Sequence, residues 1–418
     1  MSSVARRPTT LVSAVLAVLC LLIAQAGPAA AIPVPKGAYW YALYDLQKAW
    51  QHSQGAGITV AVVDTGVQAS VGDLHGQTVP GIDLTGSDPG ATQDNPKSPN
   101  YGHGTDMAAK IAGSGAGGGL VGIAPKAKIL PVDAGGPAGV QTDLGAQGVR
   151  DAVARGAKII NLSIGLAVSC QSDLGAAVKY AYEHGVIVVA SAGDSPGPVN
   201  SPANCPGALA VGGVTAAANG SISPWSQTPS GPQVDFVAPS YNLVDEQLDG
   251  TISGPSTGNT GTSAAAAFTS GVLALIWSKY PHESARQIVT RALWNVKNGL
   301  GDGHFGQRVN DKLGYGMILP YYALTDNPPA TFTNPIYDRF DSELGLSKTG
   351  TTSTATSHPT STGPSASPTA TASSGSGGGF PTWGVVVIVV VVVAALVGGG
   401  VALSRRGRHS PPPPPYGP

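Results

Sequence analysis

Three short runs of the chain are nearly continuous in apolar, β-branched residues: ITVAVVD at 58–64, KIINLS at 158–163 and VIVVAS at 186–191. Continuous rather than alternating hydrophobicity marks strands covered on both faces, as in the middle of a parallel sheet. Between them lie helix-like stretches at 142–155 and 172–184, followed directly by Gly156 and Gly185, the position where helices commonly end in a left-handed residue. This strand–helix alternation predicts an α/β domain with a doubly wound, mostly parallel sheet and helices on both faces, in which ligands sit at the carboxyl ends of the strands. Further on, GTSAAAAF at 261–268 opens a helix with almost no polar face before Lys279: Phe268, Val272, Leu273, Leu275, Ile276 and Trp277 predict that it is buried.

The two ends break this pattern. Arg6 and Arg7, an apolar stretch at 11–23 and then Ala29, Ala30 and Ala31 have the layout of a secretory signal peptide over 1–31, cleaved near Ile32. An N-terminal membrane anchor is the alternative. Near the other end, residues 383–403 form an uninterrupted apolar segment, about the roughly 20 residues a helix needs to cross a bilayer. Arg405, Arg406 and Arg408 follow at once, which places the basic, proline-rich tail 404–418 in the cytoplasm and the rest of the mature chain outside. A buried core helix fits poorly with a valine-rich run that ends in a basic cluster. The Ser/Thr/Pro/Gly-rich part, 328–382, is too poor in apolar residues to fold and reads as a tether. What remains is an N-terminal extension at 32–56 and a globular region at 57–327.

Lysine and arginine number 23 and aspartate and glutamate 24, a net charge of −1. That balance offers no basic surface for nucleic acid, no Cys/His cluster has zinc spacing, and no cofactor or metal is expected. Of three cysteines, Cys20 belongs to the signal peptide, which leaves Cys170 and Cys205. In an oxidising compartment these are expected to form a disulfide, with two free buried thiols as the alternative.

Three residues carry the candidate chemistry. Asp64 ends the first strand, where it either starts a turn with Thr65-Gly66 or presents a carboxylate at a strand end. His103 opens a helix of small residues between Gly102 and Gly104, glycines that let another backbone or a substrate come close. Ser263 heads the buried helix, where a hydroxyl ordinarily caps an orphan N–H. Taken together they supply an orienter, a base and a nucleophile, since serine attacks only when an imidazole takes its proton and a carboxylate fixes that imidazole. Their chain order, Asp, His, Ser, is one of the known triad orders and occurs on an α/β sheet.

VVDTGV around Asp64, GHGT around His103 and GTSAAA around Ser263 resemble the three signature motifs of the subtilisin-like serine proteases. The signal peptide, the segment YWYALYDLQKAW, the two-cysteine region, the tether and the terminal span narrow this to a resemblance to the mycosins, membrane-anchored subtilases of type VII secretion systems. The short distance from Ile32 to Asp64, with no room for a large prosegment, fits the same group. The resemblance implies an extracytoplasmic, single-pass serine endopeptidase acting on polypeptides, held in the bilayer and associated with a secretion complex. It further implies that Ser163, Ile164 and Gly165 line the substrate cleft as an edge strand, with Gly135 and Gly136 on the opposite wall. A plain strand end and a plain loop explain these segments equally well.

Two positions depart from the family pattern. Ala267 stands where a proline is usual, a mild change at the start of a helix. Asp194, in VVVASAGD, stands where an asparagine usually donates to the tetrahedral oxyanion, and an ionised carboxylate offers only acceptors. Losing such a donor costs about 10²–10³-fold in kcat. The competing expectation is therefore a catalytically feeble scaffold within a secretion complex.

Overall fold

The computed structural model describes residues 34–88, 90–299 and 306–346. Short helices α1 (Trp40–Leu43) and α2 (Leu46–Ala49) lead into β1 (Thr59–Asp64) and β2 (Ile82–Asp83). Helix α3 (His103–Ala112) precedes β3 (Lys128–Asp133) and the hairpin β4 (Gly135–Gly136) with β5 (Gly139–Val140). Helix α4 (Thr142–Ala154) runs to β6 (Ile159–Leu162), and α5 (Ser172–Glu183) to β7 (Ile187–Ser191). Then come β8 (Ala208–Ala216), β9 (Ile222–Pro224), β10 (Val234–Pro239) and the hairpin β11 (Leu243–Glu246) with β12 (Ile252–Ser256). Helices α6 (Thr262–Lys279) and α7 (Ala285–Trp294), the pair β13 (Val296–Lys297) and β14 (Met317–Ile318), and helices α8 (Pro320–Thr325) and α9 (Pro335–Glu343) complete the described fold.

The three predicted strands appear as β1, β6 and β7, each within a residue of the expected bounds, and Val60 to Val63 have no exposed surface. The main sheet runs β10-β8-β7-β6-β1-β3-β2, parallel throughout, with β9 added antiparallel to β8. From β1 the chain crosses through α3 to β3 on one side, whereas from β6 it crosses through α5 to β7 on the other. Right-handed crossovers in opposite directions put α3 on one face and α4 and α5 on the other. The reversal falls between the carboxyl ends of β1 and β6, the place where such sheets bind ligands.

Helix α6 is buried along its length, from Thr262 to Trp277 apart from Ser263, and packs on β6, β7, β8 and β10 and against α3. Gly271 permits part of that approach, because a Cβ there would stand 2.6 Å from Ile123 Cβ. The N-terminal extension is core rather than linker: Trp40 and Leu46 are fully covered, the Trp40 ring lies 5.0 Å from that of Phe268 on α6, and Trp50 Nε1 donates to Ile123 O at 2.8 Å. The fold also continues past residue 327. Asn334 accepts the N–H of Tyr337 and Pro335 opens α9, which buries Ile336, Tyr337 and Phe340, and Arg339 pairs with the buried Asp235 on β10 at 2.7 Å. The expected tether from 328 is thus corrected: its first part is a docked helix.

Cys170 and Cys205 form a disulfide across a sequence separation of 35. Among the described residues no helix is long and apolar enough to cross a membrane. The expected signal peptide at 1–31, the span at 383–403, the tail at 404–418 and the tether beyond 346 lie outside the described residues.

The buried Asp73 and Glu246, the latter at the end of β11, each keep one oxygen, Oδ2 and Oε1, without a hydrogen-bond partner among the described residues. Both carboxyls converge on Gly119, where a Cβ would stand 2.2 Å from Asp73 Oδ2 and 2.5 Å from Glu246 Oε2. Burial pushes Glu246 up to about 8, against the donation from Leu120 N–H and with the help of Asp73. Glu246 therefore holds its proton at neutral pH.

Candidate active site

Asp64, at the carboxyl end of β1, is 1% exposed, and its Oδ1 accepts the next N–H, that of Thr65, at 2.9 Å. His103 is the first residue of α3, and its Nδ1 lies 2.9 Å from both Asp64 oxygens. A carboxylate only accepts, so Nδ1 carries the proton and Nε2 is the atom left to exchange one with a substrate. The surrounding glycines make the approach possible: Gly102 adopts φ 96°, and a Cβ on Gly104 would stand 2.1 Å from Gly66 O. Asp94 holds the helix start, accepting from Gly102 N at 2.9 Å and from Thr105 N at 3.0 Å. Burial alone would lower the pKa of His103; the Asp64 carboxylate outweighs it, with Asp106 and Asp94 adding, and raises it to about 9.

Ser263 is not the cap of α6. That helix begins at Thr262 after Gly261, with no cap from its own flank. Instead Asp194, from the loop after β7, takes the position: its Oδ1 accepts Thr262 N–H at 2.7 Å and lies 2.9 Å from Thr262 Oγ1. A carboxylate at a helix N-terminus is held by the orphan N–H groups and the dipole. The Ser263 hydroxyl is left free of capping and donates to Ser163 O at 3.0 Å, while Ser163 Oγ returns a bond to Ser263 O at 2.8 Å. To engage His103 it must turn away from Ser163, a rearrangement common when a site without substrate tightens.

Asp64, His103, Ser263 and Asp194 line one cleft of about 520 Å³ together with Ser163, Ile164, Gly165, Leu243 and Asp245. Ser163 to Gly165 are not the expected edge strand: they follow β6, an interior strand between β1 and β7, in an irregular stretch, and Leu166 bridges to Ser201. The placement of Gly135 and Gly136 on the opposite wall is corrected. Gly135 is buried behind Thr65, 3.0 Å from its Cα as measured from a Cβ, and Ala138, Gly139 and Val140 reach the cleft instead. Two groups escaped the sequence reading. Thr262, overshadowed by its neighbour, carries the contacts to Asp194. Lys110 and Asp245 meet across 135 residues of chain, with no local signal.

The sequence profile of the Subtilase family matches residues 55–316. Fervidolysin of Fervidobacterium pennivorans is 32% identical over 301 residues, 65% of this chain but only 41% of that protein, so the chain spans less than half of that relative. Mycosin-1 of Mycobacterium tuberculosis (strain ATCC 25618 / H37Rv) is 31% identical over 343 residues, 69% of this chain and 73% of its own. The solved structure of the MycP3 protease from the type VII (ESX-3) secretion system matches with a TM-score of 0.58 at 31% identity, covering 70% of this chain and 90% of that one.

Proposed function

The chain belongs to the subtilase family, whose activity is serine endopeptidase cleavage, and from that membership we propose that it is a membrane-tethered peptidase working outside the cytoplasmic membrane beside a type VII secretion complex. In this reading Asp64 orients His103, His103 takes the Ser263 proton as base and returns it to the leaving amine as acid, and Ser263 is acylated. The backbone at Ser163 to Gly165 holds the acyl half of a polypeptide. Asp194 occupies the oxyanion position and weakens the site. The observation that carries the reading is the Asp64–His103 pair at 2.9 Å in the cleft that also exposes Ser263. The similarity to mycosin-1 and MycP3 supports the secretion association, and the terminal segments 1–31 and 383–403 support the tether.

A fluorophosphonate tests it directly. Labelling should be covalent, stoichiometric and lost in Ser263→Ala and His103→Ala; an unlabelled wild type sinks the peptidase reading. The carboxylate of Asp194 favours a second reading, a structural component of the secretion complex with little turnover, and the same result would support it.

A further inference from the structure

The side chain of Lys110 has no exposed surface and no part in the chemistry above. Lysine is almost never wholly buried unless paired. Its Nζ donates to Asp106 Oδ1 at 2.5 Å, one turn back on α3, and to Asp245 Oδ1 at 2.6 Å, on β11. Asp106 Oδ1 also accepts the N–H of Glu246 at 2.9 Å. These bonds fasten the helix that begins at His103 to the strand that supplies Leu243 and Asp245 to the cleft. Burial raises Asp106 to about 6 even with the ammonium opposing it, so without Lys110 nothing would offset the repulsion between Asp106 and Asp245. A buried ion group that loses one partner is strongly destabilised, which makes the lysine the member on which the arrangement depends.

We infer that Lys110 is a positioning residue: its buried ammonium clasps Asp106 to Asp245 and so fixes β11 as the cleft wall on the side where the leaving half of the substrate departs. The inference rests on the peptidase reading. Ser163 to Gly165, joined to Ser263, belong to the acyl half. His103 protonates the leaving amine, and the wall clasped to the His103 helix borders that half.

The test uses the full chain and three probes. A fluorophosphonate needs only Ser263, a succinyl-tetrapeptide p-nitroanilide fills the acyl half, and unfolded casein crosses the whole cleft. Lys110→Met should keep the labelling rate and the anilide kcat/KM within about threefold and lower kcat/KM on casein by about 30-fold, chiefly through KM. Amide exchange at residues 243–246 should quicken. If Lys110→Met does not fold, Lys110→Gln, which keeps a donor for Asp106 but removes the ammonium, should give the same casein-selective loss. Equal losses on all three probes, or no loss on any, overturn the clasp. A wild type that neither labels nor cleaves would sink the peptidase reading separately. Exchange would then decide the clasp, since unchanged protection at 243–246 in both variants overturns it.

Discussion

Replacing Asp194 by asparagine separates a working peptidase from a scaffold. The side chain keeps Oδ1, so the bonds from Thr262 N–H and Oγ1 at 2.7 and 2.9 Å can persist, while Oδ2 becomes an NH₂ donor. Two effects of opposite sign follow. The α6 N-terminus loses a negative charge, worth about 0.3–1 kcal/mol at an exposed helix end. The oxyanion gains a donor, worth about 2.7–4 kcal/mol, or 10²–10³-fold in kcat. Asp194→Asn should therefore melt slightly earlier and turn over far faster. The assay is kcat on saturating peptide anilide for wild type, Asp194→Asn and Asp194→Asn with Ser263→Ala, beside a thermal melt of each. A brisk wild type that gains nothing refutes the placement of Asp194 at the oxyanion. Two inactive proteins would refute the peptidase reading.

Because His103 holds its proton up to about 9, kcat/KM should climb from pH 7 toward that value as the ring becomes neutral, and a limb near 6.5 would contradict the assigned pairing. The raised folded pKa also means that the stability from this pair is complete below about 6.5 and is lost as pH rises through about 9. In Asp64→Asn, the His103 titration followed by NMR should fall back toward the ordinary range. Alkylation without reduction should leave Cys170 and Cys205 unmodified, and replacing both by serine should cost about 4 kcal/mol for a separation of 35, read from denaturant midpoints. Trp40→Ala should open a cavity against Phe268 and cost about 3–5 kcal/mol; a loss under 1 would place the N-terminal extension outside the cooperative core. Protease added to intact cells should release the folded domain, and release only after lysis would reverse the proposed topology.

Much of this fold is written locally. The strands at β1, β6 and β7 and the helices α4 and α5 are legible because a doubly covered strand and a helix ended by Gly156 or Gly185 each leave a signature within a dozen residues. Asp64 and His103 are legible for the same reason, as a strand end and a glycine-flanked helix start. What eludes the sequence is whatever depends on distant partners. The capping of α6 by Asp194 joins residues 68 apart, and the bonds between Ser163 and Ser263 span 100. Gly135 misleads because a glycine pair suits either a wall or a close approach, and only packing against Thr65 decides. Helix α9 hides among polar residues, although Asn334 followed by Pro335 is a helix-start signal that could have revealed it.

The buried carboxyl of Glu246, beside that of Asp73, sets a limit on the chemistry nearby. Alkalinity that frees the His103 base, near 9, also strips Glu246, near 8, and sets its new charge in repulsion with Asp73 and Asp106. Glu246 adjoins Asp245, so that repulsion would load the strand that walls the cleft. Catalysis would thus gain its base over the range in which the cleft wall comes under load, and the alkaline ceiling of such an enzyme would be set by carpentry before it is set by chemistry.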